Sequence, residues 1–143
     1  MIWLRRFWRW MFEVPEGDRS ALQIIAWWEL RRIPYNLVVM PIALVSFITF
    51  FVAILSSGHL QPGEDAVEPM GLLAAPFFIN FCYTAGWLAE LALKILWRTS
   101  SPAIGPALLK LGLMASLVIV LLPSLYWVAY VVLRSFGVNW DGL

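Results

Sequence analysis

The chain has 143 residues, of which 62% are hydrophobic and 13% are charged, and its formal net charge is +1. An average soluble domain is about 45–50% apolar and about 25% charged, and a domain this small cannot bury so much apolar surface. The composition therefore predicts an integral membrane protein, and the near-neutral charge gives no reason to expect a nucleic-acid partner. A single cysteine and a single histidine exclude an internal disulfide, a zinc site built on several cysteines and a bis-histidine haem.

The first 33 residues are predicted to form interfacial amphipathic helices on the cytoplasmic side. At about 100° per residue, the arginines of residues 2–14 gather on one side of a helix and the aromatic rings cover the other. Such a helix lies in the plane of the lipid headgroups. The predicted membrane-surface anchor consists of Trp3, Arg5, Arg6, Phe7, Trp8, Arg9 and Trp10. An alternative use of the same face is docking against a partner helix.

A second helix is predicted over about residues 20–32, after a turn at "VPEGD". Ser20 and Gln23 have the spacing of a capping box, and Glu29 is placed to pair with Arg32 at i,i+3. This helix is apolar on nearly every side, which indicates burial against other protein. Pro34 is expected to end or kink this helix and so to reset the chain direction before the first membrane span.

Residues 34–143 are predicted to form a three-helix transmembrane domain with spans over about 35–56, 71–97 and 105–133. Each span has at least the roughly 20 apolar residues that cross a bilayer, and only helices satisfy their own backbone groups in lipid. The predicted fold is thus an all-α integral membrane protein with three transmembrane helices after an amphipathic N-terminal region. Gly112 and Ser116, four residues apart, predict a close approach between helices in the third span.

The distribution of basic residues predicts the orientation. Six arginines precede the first span, whereas the first loop holds Glu64, Asp65 and Glu68 and no Lys or Arg. The positive-inside rule then places the N-terminus and the second loop in the cytoplasm and the C-terminus outside. For a bacterial source, the location would be the cytoplasmic membrane.

The second span contains "NFCYTAGWLAELALK", which carries polar residues within an apolar run. Helical spacing brings them onto one face, which we call the polar stripe: Asn80, Tyr83, Thr84, Trp87, Glu90, Lys94 and Arg98. Polar side chains in a membrane helix normally face other protein, so the stripe is predicted to be a helix interface that also involves Lys110. Glu90 is expected to pair with Lys94 or with Lys110.

Two other interpretations of the polar stripe remain open. It could bind a lipid headgroup, a quinone or a pigment, with Tyr83 and Trp87 as ring walls. Separately, His59, just past the outer end of the first span, could ligate a metal or pigment centre at the surface. It could also form a proton path or a catalytic site, but a relay generally needs several titratable groups across the membrane. The sequence therefore predicts no catalytic residue, no metal site and no intrinsic cofactor.

These features favour a structural or accessory subunit of a larger membrane complex, with membrane lipids and other integral membrane subunits as partners. Photosynthetic and respiratory assemblies, which convert energy, often contain such small subunits and are the expected hosts. The alternative is a small homo-oligomeric carrier or channel with the stripe of residues 80–94 lining its path. A membrane enzyme with Glu90 as base is a third hypothesis, and we do not expect an enzyme.

Overall fold

The computed structural model describes residues 2–15, 17–58, 69–98 and 101–138. The described residues form four helices: α1 (Ile2–Phe12), α2 (Ala21–Ser57), α3 (Pro69–Trp97) and α4 (Ile104–Ser135). The predicted all-helical fold is confirmed over these ranges. The acidic first loop and His59 lie outside the described residues, so the expectations for them are not addressed by the structure.

The ends of α2 have clear local causes. Gln23 donates its backbone N–H to Ser20 Oγ at 3.3 Å, and Ser20 donates its own to Gln23 Oε1 at 2.8 Å. The predicted capping box is therefore confirmed. At the other end, Gly58 takes a left-handed φ of 66°, the conformation that commonly terminates helices. The predicted Glu29–Arg32 pair is also present, with nitrogen–oxygen distances of 2.7 and 2.8 Å.

The predicted break at Pro34 does not occur. Residues 20–32 and the first span form the single helix α2, whose 37 residues extend about 55 Å. A proline inside a helix costs about 3 kcal/mol, because it removes a hydrogen bond and crowds the preceding turn. Here Pro34 itself is buried, and fully buried rings lie on both sides of it, at Trp28 and Tyr35. Packing of these rings against other helices offsets the local cost.

Hydrogen-bonded pairs define the directions of the helices. Pairs between α2 and α4 advance together along both helices: Tyr35 with Ser116, Ser46 with Ser124, and Ser57 with Arg134. Pairs between α2 and α3 advance in opposite senses: Trp28 with Glu90, Arg32 with Thr84, and Asn36 with Asn80. α2 and α4 are therefore parallel, and α3 is antiparallel to both.

Serine side chains hold α2 against α4. Ser46 Oγ donates to the Val120 carbonyl at 2.7 Å, and Ser116 Oγ lies 2.5 Å from the hydroxyl of Tyr35. Small polar residues of this kind join membrane helices closely. The predicted contact at Gly112 is wrong, however, because a Cβ placed there would meet nothing within 4 Å. Of the predicted pair, Ser116 alone lies in the interface.

α2 and α4 are each long and apolar enough to cross a membrane, by length and composition. Large apolar side chains stay exposed along them, including Leu44, Ile48 and Leu55 of α2 and Ile119 and Leu122 of α4. Exposure of these side chains to water would be unfavourable, because burying each one would gain roughly 1.5–3 kcal/mol of transfer free energy. These two helices therefore indicate a membrane location for the chain.

α1 packs partly against the rest of the protein, whereas the sequence predicts a membrane-surface anchor or a docking edge for a partner helix. Met11 is completely buried, and Phe7 and Trp8 pack against the same core. The other anchor residues divide into two sets. Trp3 is exposed, and so are Arg5, Arg6 and Arg9, the three arginines that we call the basic patch. Trp10 is 43% exposed and also contacts Arg31. The protein therefore covers part of the apolar face of α1, which the sequence assigns to the lipid or to a partner helix.

Candidate functional site

Arg31 joins α1 to α2. Its guanidinium is buried and donates to the backbone carbonyls of Trp10, Met11 and Glu13 at 2.8–3.0 Å. These carbonyls belong to the end of α1 or follow it, where the helix dipole is negative and a cation is stabilising. The guanidinium also lies over the rings of Trp10 and Trp27, at 4.8 and 4.1 Å from their centroids. Arg31 therefore caps α1 and fixes it against the start of α2.

Glu90 is the centre of a second buried group. Its Oε1 accepts a hydrogen bond from Arg19 Nη2, and its Oε2 accepts one from Trp28 Nε1 at 2.6 Å. Glu90 is 3% exposed and Arg19 is 8% exposed. We call Arg19, Trp28 and Glu90 the Glu90 cluster. A buried carboxylate requires a cation and hydrogen-bond donors, and the cluster supplies both.

Two glycines allow the helices to approach closely around the Glu90 cluster. A Cβ placed on Gly105 would lie 2.7 Å from Glu90 Oε2, and one placed on Gly86 would lie 2.7 Å from the Trp28 ring. Real Cβ contacts do not occur at this distance. The absence of a side chain at these two positions lets α4 cover the carboxylate and lets the indole of α2 lie on α3.

The predicted pairing of Glu90 with a lysine is wrong. Glu90 pairs with Arg19, while Lys94 donates to Asp18 Oδ1 at 2.6 Å and to the backbone carbonyl of Arg19. Lys110 lies over a ring of α1 instead, 5.1 Å from the ring centroid. The residues before Ser20 pass beside the end of α3 and bring the guanidinium to Glu90. Lys94, one turn further along α3, then holds the same stretch of chain.

Three further members of the polar stripe, Asn80, Tyr83 and Thr84, contact α2 at successive turns. The amides of Asn80 and Asn36 donate to each other, at 3.1 and 3.2 Å. Thr84 Oγ1 accepts from Arg32 at 3.2 Å, and the Tyr83 hydroxyl donates to the backbone carbonyl of Trp28. These side chains of α3 are therefore bonded to α2, whereas the buried Nε1 of Trp87, in the same stripe, has no hydrogen-bond partner among the described residues.

The partners on α2 were absent from the predicted site. Trp28, Arg32 and Asn36 are spaced by four residues, so they lie on one face of a helix and match the polar stripe. This pattern is readable in the sequence, but it crosses Pro34, and the expected break there separated Asn36 from the others. For Arg19 and Arg31, the sequence pattern indicates only a positive charge on the predicted cytoplasmic side.

The proposed ligand-binding side chains have little free surface. Tyr83 is 2% exposed, and Trp87 is partly buried against the apolar core. Arg98, at the end of the stripe, is exposed after the last turn of α3. A cavity of about 10 Å³ beside the Glu90 cluster is lined by Asp18, Lys94 and Ser101, among others. This volume is about that of one water molecule.

Among the residues that the structure describes, no group of three His, Cys, Asp or Glu side chains is placed to hold a metal ion. In comparisons with known proteins, no family model, no curated protein and no solved structure matches this chain. The case for a function therefore depends on the contacts within the molecule.

Proposed function

We propose that the chain is an integral membrane protein with three spans and that it is a structural accessory subunit of a larger membrane complex. The third crossing would be made by α3, whose 29 residues extend about 43 Å, more than the roughly 30 Å of hydrocarbon. Its antiparallel contacts with α2, from Trp28–Glu90 to Asn36–Asn80, support this arrangement. Over the roughly two to three turns between these pairs, α3 lies beside α2 and shares its environment.

The main support for a structural role is that residues of the polar stripe form their hydrogen bonds with other residues of the same chain. Asn80, Thr84 and Glu90 all bond to α2 or to the segment before it. A path or catalytic site would need some of these groups to face an open space. The rival carrier or channel would therefore have to break these bonds before the stripe could line its path, and each buried polar group left unsatisfied costs about 1–3 kcal/mol.

The placement of charge supports a cytoplasmic N-terminus. The basic patch and the Arg31 cap lie at the end of the bundle where α2 begins. Anionic lipids of the cytoplasmic leaflet attract such arginines by about 1 kcal/mol for each residue near the surface. At the opposite end Arg134 donates to the backbone carbonyl of Ser57, so this lone basic residue is engaged within the chain. The orientation follows the positive-inside rule.

A surface for a partner subunit is available on α3. Phe77, Phe78 and Phe81 are 78%, 67% and 71% exposed. Helical spacing places Phe77 beside Thr84 at the edge of the polar stripe and Phe78 on the opposite side of α3. In a membrane, exposed apolar rings contact either lipid or another helix, and the accessory role proposed here requires a helix. We expect these three rings to pack against a helix of another integral membrane subunit.

Purification of the tagged chain from its own membranes in mild detergent, followed by mass spectrometry, tests this role. We expect unlike integral membrane chains in fixed ratio to it. Phe77→Ala with Phe81→Ala should release them, whereas Leu44→Ala with Ile48→Ala, on exposed α2, is the matched control. Recovery of a stable monomer would contradict the accessory role, and a closed ring of identical chains would favour the carrier. Extraction of the chain from membranes by alkaline carbonate would contradict the three spans.

A further inference from the structure

The small cavity beside the Glu90 cluster lies where three parts of the chain meet. Its lining comes from the segment before α2, from the second half of α3 and from the residues around the start of α4. The polar and charged residues of the lining are Asp18, Arg19, Glu90, Lys94 and Ser101. The cavity is therefore a polar space at the junction of these segments.

One buried donor of Arg19 has no acceptor in the part of the chain that the structure describes. Arg19 is 8% exposed, and its Nη2 donates to Glu90, whereas its Nη1 has no hydrogen-bond partner among the described residues. A guanidinium stays protonated in proteins, so Nη1 remains a donor at any working pH. A buried donor left unsatisfied costs about 1–3 kcal/mol. An acceptor bound in the cavity that Arg19 lines would remove this cost.

Arg31 shows how the same group is satisfied elsewhere in the chain. It is 5% exposed, and its Nε, Nη1 and Nη2 all donate to backbone carbonyls at 2.8–3.0 Å. The two arginines are thus buried to nearly the same extent, but only Arg31 has a protein acceptor for each of its nitrogens. By this standard, Arg19 Nη1 requires an acceptor that the described residues do not supply.

The charges and the size of the cavity select a neutral occupant. Two cations and two carboxylates line it and form two ion pairs with each other, so no net charge attracts a free ion. Its volume of about 10 Å³ is near the smallest that holds one water molecule. A water oxygen accepts from Nη1, and its hydrogens reach carboxylates, which have roughly four lone-pair sites each and are not fully used by the bonds described above.

We infer that one water molecule binds in this cavity, where it accepts from Arg19 Nη1 and donates to the carboxylate of Glu90 or Asp18. Buried waters typically bond in this way to polar groups that the protein itself leaves unsatisfied. The Arg19–Glu90 pair is then a hydrated ion pair, and the water is a structural component of the fold. This site lies inside the chain, so it does not depend on a partner subunit.

A high-resolution crystallographic or electron cryo-microscopy map of the wild-type protein tests the position of the water. We expect one compact peak about 2.7–3.2 Å from Arg19 Nη1 and within hydrogen-bond reach of a carboxylate oxygen. A direct bond from Nη1 to a protein atom beside a cavity without density would overturn the inference. A larger peak with the shape of an anion would overturn it as well.

Water-edited solid-state NMR of the protein in lipid, with isotope-labelled arginine, gives a second readout. We expect magnetisation from water to reach the guanidinium of Arg19 and, at the same mixing time, to leave that of Arg31 without signal. Contact with bulk solvent alone predicts nearly equal transfer, because the two residues are 8% and 5% exposed. Arg31→Lys identifies the Arg31 signal by its loss. Equal transfer to both arginines, or transfer to Arg31 alone, would refute the bound water.

Discussion

Replacement of Glu90 by Gln probes the Glu90 cluster directly. The variant keeps the size of the side chain and an oxygen that can accept from Trp28, but it leaves the buried guanidinium of Arg19 without a counter-charge. Removing one partner of a buried ion pair typically costs about 3–5 kcal/mol. Among the described residues nothing bonds to Arg19 Nη1, so the pair is held through one nitrogen. We therefore expect Glu90→Gln to lower the free energy of unfolding by about 3 kcal/mol, the lower end of this range.

The assay is reversible unfolding in mixed micelles by increasing dodecyl sulfate, followed by tryptophan fluorescence. The matched control is Glu29→Gln, which makes the same chemical change in the ion pair with Arg32. That pair is 44% exposed at Glu29 and 29% exposed at Arg32, so solvent screens it and the expected cost is below about 1 kcal/mol. If both variants lost the same free energy of unfolding, the claim that burial strengthens the contribution of the Arg19–Glu90 pair to stability would be refuted.

A double variant separates the ion pair from other consequences of the substitution. Arg19→Met combined with Glu90→Gln removes both charges, so no unpaired ion remains in the site. Replacing both partners of a buried pair is often close to neutral, and we expect the double variant to be more stable than Glu90→Gln alone. Additive losses would indicate that the two side chains do not interact in the folded protein.

Three further predictions concern the other contacts. Gly105→Ala should destabilise the fold by about 1–3 kcal/mol through overlap with Glu90, whereas Gly112→Ala should be neutral or stabilising by up to about 1 kcal/mol, as unfolding in micelles would reveal. If Gly112→Ala lowered the unfolding free energy as much as Gly105→Ala does, the result would contradict the structure. Arg31→Lys should release α1 to limited proteolysis, since an ammonium cannot reach several carbonyls in the plane of a guanidinium; unchanged protection would refute the cap. Replacing the basic patch by glutamines should weaken binding of the protein in micelles to vesicles rich in phosphatidylglycerol by about 1 kcal/mol for each arginine, with neutral vesicles unaffected. Equal binding to both vesicles would contradict an electrostatic role.

The amino-acid sequence by itself determined the helices and the environment they suit. Long apolar runs, the Ser20–Gln23 box and the spacing of the polar stripe are local properties, and they act over one or two turns regardless of what lies opposite. The sequence accordingly predicted the all-helical architecture, the start of α2 near Ser20 and the grouping of Asn80 with Glu90 on one face.

Only the tertiary structure decided which residues the polar stripe of α3 contacts. Arg19, Lys94 and Lys110 were all chemically suitable partners for Glu90, and the choice among them depends on the path of the segment before Ser20 and on the approach that Gly105 allows. The continuity of α2 through Pro34 was decided in the same way, because a local cost of about 3 kcal/mol is smaller than the packing gained by several buried rings. Both outcomes depend on interaction energies between segments that are far apart in the sequence, and a local sequence pattern does not contain this information.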